Sequence, residues 1–244
     1  MGIRAVLLIL LTVSWLLPAC GGQAADSERA PVARGPEPAA AAPAKVPERR
    51  RQPDGARIIF LGDSLTAGLG LDVPESFPAL IQKRLDAGGY DYEVVNAGAS
   101  GDTSAGGARR LDWAMSEGDP KILIIALGGN DGLRGLPPQQ LEQNLSAIIE
   151  QGKKRGLRII LAGMEAPPNY GADYTGRFRA VYATLAERHG VPLIPFLLEG
   201  VAGNAALNQP DGIHPNSRGA EIVADLVWRA LQPELTATRA TTTR

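Results

Sequence analysis

The chain has 244 residues, a formal net charge of −1 and 44% hydrophobic residues. That length admits one large domain or two small ones with a sizeable core, and the balanced charge leaves no footprint for nucleic acid. The single cysteine, Cys20, excludes an intrachain disulfide and a cysteine-based zinc site. The two histidines, His189 and His214, bound any histidine-dependent chemistry.

Residues 1–20 read as an export signal. Arg4 precedes an apolar run from Ala5 to Leu17, shorter than the ~20 residues of a membrane span and suited to a secretory signal. Val6 stands where a myristoylation signal needs Ser or Thr. Leu17-Pro18-Ala19-Cys20 resembles a bacterial lipobox, whose cysteine carries lipid and becomes the mature N-terminus; ordinary cleavage near Ala24 or Ala25 is the alternative. The lipobox is favoured because the only cysteine stands there. Gly21 is compatible, by analogy, with sorting to the outer membrane.

Residues 21–54 are rich in Ala, Pro, Arg and Glu and nearly lack large apolar side chains. Such a segment cannot bury enough surface to offset its ordering entropy. It reads as a disordered tether, with a coil dimension of roughly 30–35 Å. Arg49-Arg50-Arg51 is a solvated charge run of this linker.

From Ala56 onward strand and helix patterns alternate. Apolar runs predict strands at 57–61, 92–96, 122–127, 158–162 and 193–196. Helices are predicted near 75–87, 104–117, 138–155 and 174–189, with a last one after Pro215. Gly88, Gly118, Gly156 and Gly190 each follow a helical run as C-terminal stops. This alternation predicts one three-layer α/β domain over residues 55–232, built on a five-stranded parallel sheet, with a frayed tail over 233–244.

Four polar clusters follow the predicted strands or precede the last helix. The first is Gly62-Asp63-Ser64-Leu65-Thr66-Ala67-Gly68. On its own it supports two readings: Asp63, Ser64 and Thr66 cap the next helix, or Ser64 sits at the carboxyl edge of the sheet, where open α/β folds place ligands. A phosphate-cradling loop is a third reading, but the Gly-x4-Gly-Lys-Ser/Thr pattern is missing. The others are Asn96–Ser104, Gly128-Gly129-Asn130-Asp131-Gly132 and Asp211-Gly212-Ile213-His214. Singly, each has a plain turn or cap role. Together they supply what acyl transfer requires. Ser64 is the candidate nucleophile, His214 the base and acid, and Asp211 the carboxylate that orients the ring. The backbone N–H groups of Ser64 and Gly101 and the Asn130 amide form the candidate oxyanion hole. His189, at a helix end, takes a structural role toward the last carbonyls.

With these blocks in place, the chain resembles the SGNH (GDSL) hydrolase family over about residues 56–232. The serine, glycine, asparagine and histidine of that name fall on Ser64, Gly101, Asn130 and His214. Ser100–Ser104, Gly128–Gly135, Asn169-Tyr170-Gly171 and Asp211–Asn216 bring it nearest to the bacterial acyl-CoA thioesterase I/protease I/lysophospholipase and arylesterase group. The resemblance implies a flavodoxin-like strand order 2-1-3-4-5, with neither metal nor cofactor. It implies a serine esterase or thioesterase acting on small-molecule acyl esters. The alternatives are a non-catalytic lipid- or glycan-binding lipoprotein on the same fold, a carbohydrate O-deacetylase, or a flavin binder. A flavin binder would need more hydroxyls than Ser64 and Thr66 in the first loop. The lipobox and linker depart from the family's soluble periplasmic members, and place this enzyme on a membrane through an N-terminal lipid anchor at the periplasmic face of the envelope.

Overall fold

A computed structural model of the chain describes residues 55–116 and 118–242. The expectations for the export signal, Cys20 and the linker lie outside the described residues.

Five parallel strands form the sheet: β1 (Ala56–Gly62), β2 (Glu93–Gly98), β3 (Asp119–Ala126), β4 (Arg158–Ala162) and β5 (Leu193–Ile194). Their order is β2-β1-β3-β4-β5, as the resemblance implied. In β1 the residues Ile58, Ile59, Phe60 and Leu61 are all fully buried, as are Ile122 to Ala126 in β3. Continuous apolar runs of this kind suit strands covered on both faces. β2 is an edge, with most of its residues only half-buried.

The covering helices are α2 (Phe77–Ala87), α3 (Ser104–Ala114), α5 (Pro138–Lys154), α6 (Ala172–His189) and α7 (Ser217–Thr242). Right-handed crossovers dictate their faces. The step from β1 to β2 runs one way along the sheet, and every later step runs the other. α2 therefore lies on one face, where it packs on α7, and α3, α5 and α6 lie on the opposite face. Arg84 of α2 donates to the Ala224 carbonyl at 3.1 Å and pairs with Asp225 at 2.5 Å. Because the chain reverses direction between β1 and β3, a crevice opens beyond their carboxyl ends.

Several elements differ from the sequence reading. β5 stops at Ile194 rather than Phe196, because Pro195 has no N–H to extend the ladder. Two one-turn helices stand where loops were expected, α1 (Ser64–Ala67) and α4 (Gly129–Leu133). The last helix passes residue 232, where the domain was expected to end. Leu231 and Leu235, one turn apart, are both fully buried, and Glu234 pairs with Arg158 at 2.9 Å. That burial outweighs the hydrogen bond Pro233 cannot donate.

Candidate active site

The turn after β1 holds both roles the sequence left open. The Asp63 side chain accepts from the Leu65 N–H at 3.0 Å and so caps α1. Ser64, at the first helical position, is half-buried and its N–H has no intrahelical acceptor. The turn needs Gly62, since a Cβ there would lie 1.9 Å from the Thr66 hydroxyl.

His214 reaches this turn from a loop 150 residues later. Its Nε2 lies 2.8 Å from Ser64 Oγ, and its Nδ1 lies 2.7 Å from Asp211 Oδ2. The other Asp211 oxygen accepts the backbone N–H groups of Ile213 at 2.9 Å and His214 at 3.0 Å. These two N–H groups, His214 first, with the bond from the ring, lower the Asp211 pKa to about 2. An ionised carboxylate only accepts, so Nδ1 carries the ring proton and Nε2 is free to accept from the Ser64 hydroxyl. The loop is fastened by Gln209, whose amide donates to Leu69 O at 2.7 Å and Pro215 O at 2.9 Å, and whose N–H donates to His214 O at 2.7 Å.

The candidate oxyanion donors come from the ends of β1, β2 and β3. Gly101 has φ +82° in a turn closed by Asp102 N–H to Ala99 O at 3.1 Å, a conformation that calls for glycine. The Asn130 amide donates to Asp102 O at 2.9 Å and, more weakly, to Asp63 Oδ2 at 3.3 Å. Asp131, next to it, is buried and accepts from Ser104 Oγ at 2.6 Å and Ser104 N–H at 2.8 Å, which locks α4 onto the start of α3. The structure therefore brings Ser64, Gly101, Asn130, Asp211 and His214 to one edge of the sheet. His189 stands apart; its ring Nε2 meets Ser146 Oγ at 2.9 Å across α5 and α6, rather than the carbonyls at its own helix end.

The residues matched by the GDSL-like lipase/acylhydrolase family model are 60–222, a span that includes all five of these residues. The chain belongs to this family. The acylhydrolase is similar to esterase TesA of Pseudomonas aeruginosa, with 46% identity over 73% of this chain and 89% of that protein. It is also similar to thioesterase 1/protease 1/lysophospholipase L1 of Escherichia coli K12, with 40% identity over 72% of this chain and 83% of that one. Among solved structures, the psychrotrophic esterase EstA from a Pseudoalteromonas species, inhibited by monoethylphosphonate, superposes with a TM-score of 0.70. The identity is 33%, over 74% of this chain and 98% of that one.

Three residues of the candidate site make contacts not expected from the sequence, which offered Asp63 only a capping role. Asp63 is 2% exposed, and burial pushes its carboxyl up to about 6 despite the Leu65 N–H, the nearby His214 and the Asn130 amide, which act the other way. Gln209 fastens the histidine loop. Arg110 of α3 donates to Asp102 Oδ2 at 2.5 Å, Ala97 O at 2.6 Å and Gly62 O at 2.7 Å. Asp63 was visible as a neighbour of Ser64, whereas nothing local marks Arg110 or Gln209.

The rim is apolar. Six large hydrophobic side chains are exposed among the described residues; one of them, Leu69, lines a cleft together with Ser64, Leu71, Leu198 and His214. The segment after Asn130 meets the chain after β4: Tyr170 OH donates to Leu133 O at 3.0 Å, and Tyr174 OH, on α6, to Leu136 O at 2.8 Å. An aromatic column on α6, Tyr174, Phe178 and Tyr182, runs from that loop to the core, where Tyr182 OH donates to Leu127 O at 3.0 Å.

Proposed function

We propose that this serine hydrolase cleaves single-chain acyl esters, thioesters and aryl esters through an acyl-enzyme on Ser64. The observation that carries the reading is the chain Ser64 Oγ, His214 Nε2, His214 Nδ1, Asp211 Oδ2, with contacts of 2.8 and 2.7 Å. As Ser64 Oγ adds to the substrate carbonyl, its proton passes to His214 Nε2. Ionised Asp211 then faces an imidazolium and stabilises it. The carbonyl oxygen becomes an oxyanion that accepts from the N–H groups of Ser64 and Gly101 and from the Asn130 amide, one of whose two N–H groups leaves its weaker contact, to Asp63 at 3.3 Å, for the oxyanion; each donor is worth about 3 kcal/mol in the transition state. Collapse breaks the bond to the leaving alcohol or thiol, which takes the proton from His214. Water then gives a proton to His214, attacks the acyl-Ser64 carbonyl, and the acid leaves as Ser64 recovers its proton. The monoethylphosphonate on the Pseudoalteromonas esterase supports a nucleophilic mechanism of this kind.

The substrate class follows from the rim. Exposed Leu69, with Leu71 and Leu198, offers an apolar surface in the cleft beside Ser64 and His214, and among the described residues no long apolar insertion follows a strand as an interfacial lid. Each methylene on such a surface adds at most ~0.8 kcal/mol, so preference changes gradually with acyl length. Cys20 is read as the lipidated mature N-terminus, which would hold the enzyme at the periplasmic face of the envelope, near lipid breakdown products. Mass spectrometry of the N-terminal peptide tests that point: lipid on Cys20 supports it, and an unmodified terminus beyond Cys20 refutes it.

The experiment for the activity is a rate profile over p-nitrophenyl esters of graded length, acyl-CoAs, lysophospholipid and emulsified long-chain triglyceride. The first three classes are expected to be turned over, with a smooth length dependence. Faster turnover of triglyceride would contradict the substrate class. No turnover of any class would favour a non-catalytic binding lipoprotein.

A further inference from the structure

We infer that Arg110 is the positioning residue of the oxyanion hole, holding its three donors in register from behind. The inference rests on the roles proposed above for Ser64, Gly101 and Asn130. A guanidinium presents N–H donors in a rigid planar fork, and here three of them are spent on acceptors that bracket the hole. Gly62 O, at 2.7 Å, is two residues before Ser64. Ala97 O, at 2.6 Å, lies one residue before the end of β2, the strand that leads to Gly101. Asp102 Oδ2, at 2.5 Å, belongs to the residue immediately after Gly101.

Two further bonds complete the tie. Gly62 O also accepts the Ala99 N–H at 3.0 Å, which joins the β1 turn to the Gly101 turn. Asp102 O accepts the Asn130 amide at 2.9 Å, which brings in the third donor. Asp102 is therefore the point where the guanidinium, Gly101 and Asn130 meet. The Arg110 and Asp102 side chains are 19% and 23% exposed, so the tie is largely sheltered from water and from screening. A lysine offers a single ammonium on a flexible stem and cannot span three acceptors in a plane.

A brace that merely stabilised the sheet would change the unfolding midpoint and leave the chemistry alone. A brace that positions the hole acts on the transition state of every acyl ester equally. The test is Arg110→Lys, with Asp102→Asn as a second variant that keeps the two carbonyl bonds and loses the ion pair. The readouts are kcat and KM for p-nitrophenyl acetate, butyrate and octanoate, the urea midpoint, and the rate at which a fluorophosphonate labels Ser64. In Arg110→Lys, kcat and the labelling rate are expected to fall together by about 10–100-fold, by the same factor for all three esters, with KM within about twofold. Asp102→Asn is expected to show a smaller loss of the same form, and it decides the matter if Arg110→Lys does not fold. Wild-type kcat in a folded variant would overturn the inference, as would a loss that lies in KM or varies with acyl length. Labelling of wild-type protein at Ser64 is the control. Its failure would refute the serine mechanism itself, whereas labelled wild type with unaffected variants refutes only the role of Arg110.

Discussion

Asp63 and Asn130 meet next to Ser64, with Asp63 Oδ2 accepting from Asn130 Nδ2 at 3.3 Å. The carboxylate is thus a second acid in the site, distinct from Asp211, and it is almost fully buried. Its bond helps turn the amide nitrogen of Asn130, rather than the oxygen, toward the hole. Asp63 is raised from an ordinary 3.8 to about 6, chiefly by burial. An acid whose pKa is higher folded than unfolded favours folding at low pH and loses that advantage as pH rises through the folded value. The cost of carrying the charge is about 3 kcal/mol above pH ~7. Asp63→Asn is neutral at every pH. Its stability relative to wild type is therefore expected to rise by about 2 kcal/mol between pH ~4 and pH ~7, measured by urea unfolding at both values. Its kcat is expected to fall roughly 10–100-fold as the Asn130 amide loses its orientation. A relative stability that does not change with pH would contradict this account of Asp63.

Asn130→Ala removes the donor itself. It is expected to fold and to lose about 10²–10³ in kcat with little change in KM, the usual effect of one missing oxyanion-hole donor. Steady-state kinetics on a single p-nitrophenyl ester suffice. An unchanged kcat would return Asn130 to a turn role.

Tyr170→Phe tests the acyl groove. The hydroxyl bond to Leu133 O is worth about 1 kcal/mol net, so losing it should raise KM for a long acyl chain about fivefold. A short ester, which does not reach Leu133, should be unaffected. Equal effects on short and long esters would place the acyl chain elsewhere.

Most of the fold was legible in the sequence because two periodic signals reinforce each other. Fully apolar runs such as Ile58–Leu61 occur in buried parallel strands, and glycines such as Gly190, at φ +58°, end helices. The meeting of Ser64, Asp211 and His214 was legible for a different reason. With only His189 and His214 to choose from, position in the α/β alternation sufficed. Contacts that depend on tertiary distance were hidden. Arg110 lies 48 residues from Gly62, and nothing nearby separates it from adjacent Arg109. Gln209 likewise reaches Leu69 across 140 residues. The last helix runs on where a frayed tail was expected, because burial of Leu235 against the core is a tertiary contact.

Leu235→Ala is expected to destabilise the protein by about 2–5 kcal/mol, the cost of a cavity at a fully buried leucine. Urea unfolding measures it. A chain ended after residue 232 should lose at least as much, since it also lacks the Glu234 partner of Arg158. Wild-type stability in both would restore residue 232 as the domain end.

The most direct test of the central claim is covalent labelling. Intact protein treated with a fluorophosphonate, digested and analysed by mass spectrometry is expected to carry one adduct, on the peptide containing Ser64. The adduct should disappear in Ser64→Ala and form far more slowly in His214→Ala, with kcat reduced by several orders of magnitude, up to ~10⁶. Full labelling of Ser64→Ala, or an adduct on another residue of the wild-type protein, would contradict the assignment of Ser64 as the nucleophile.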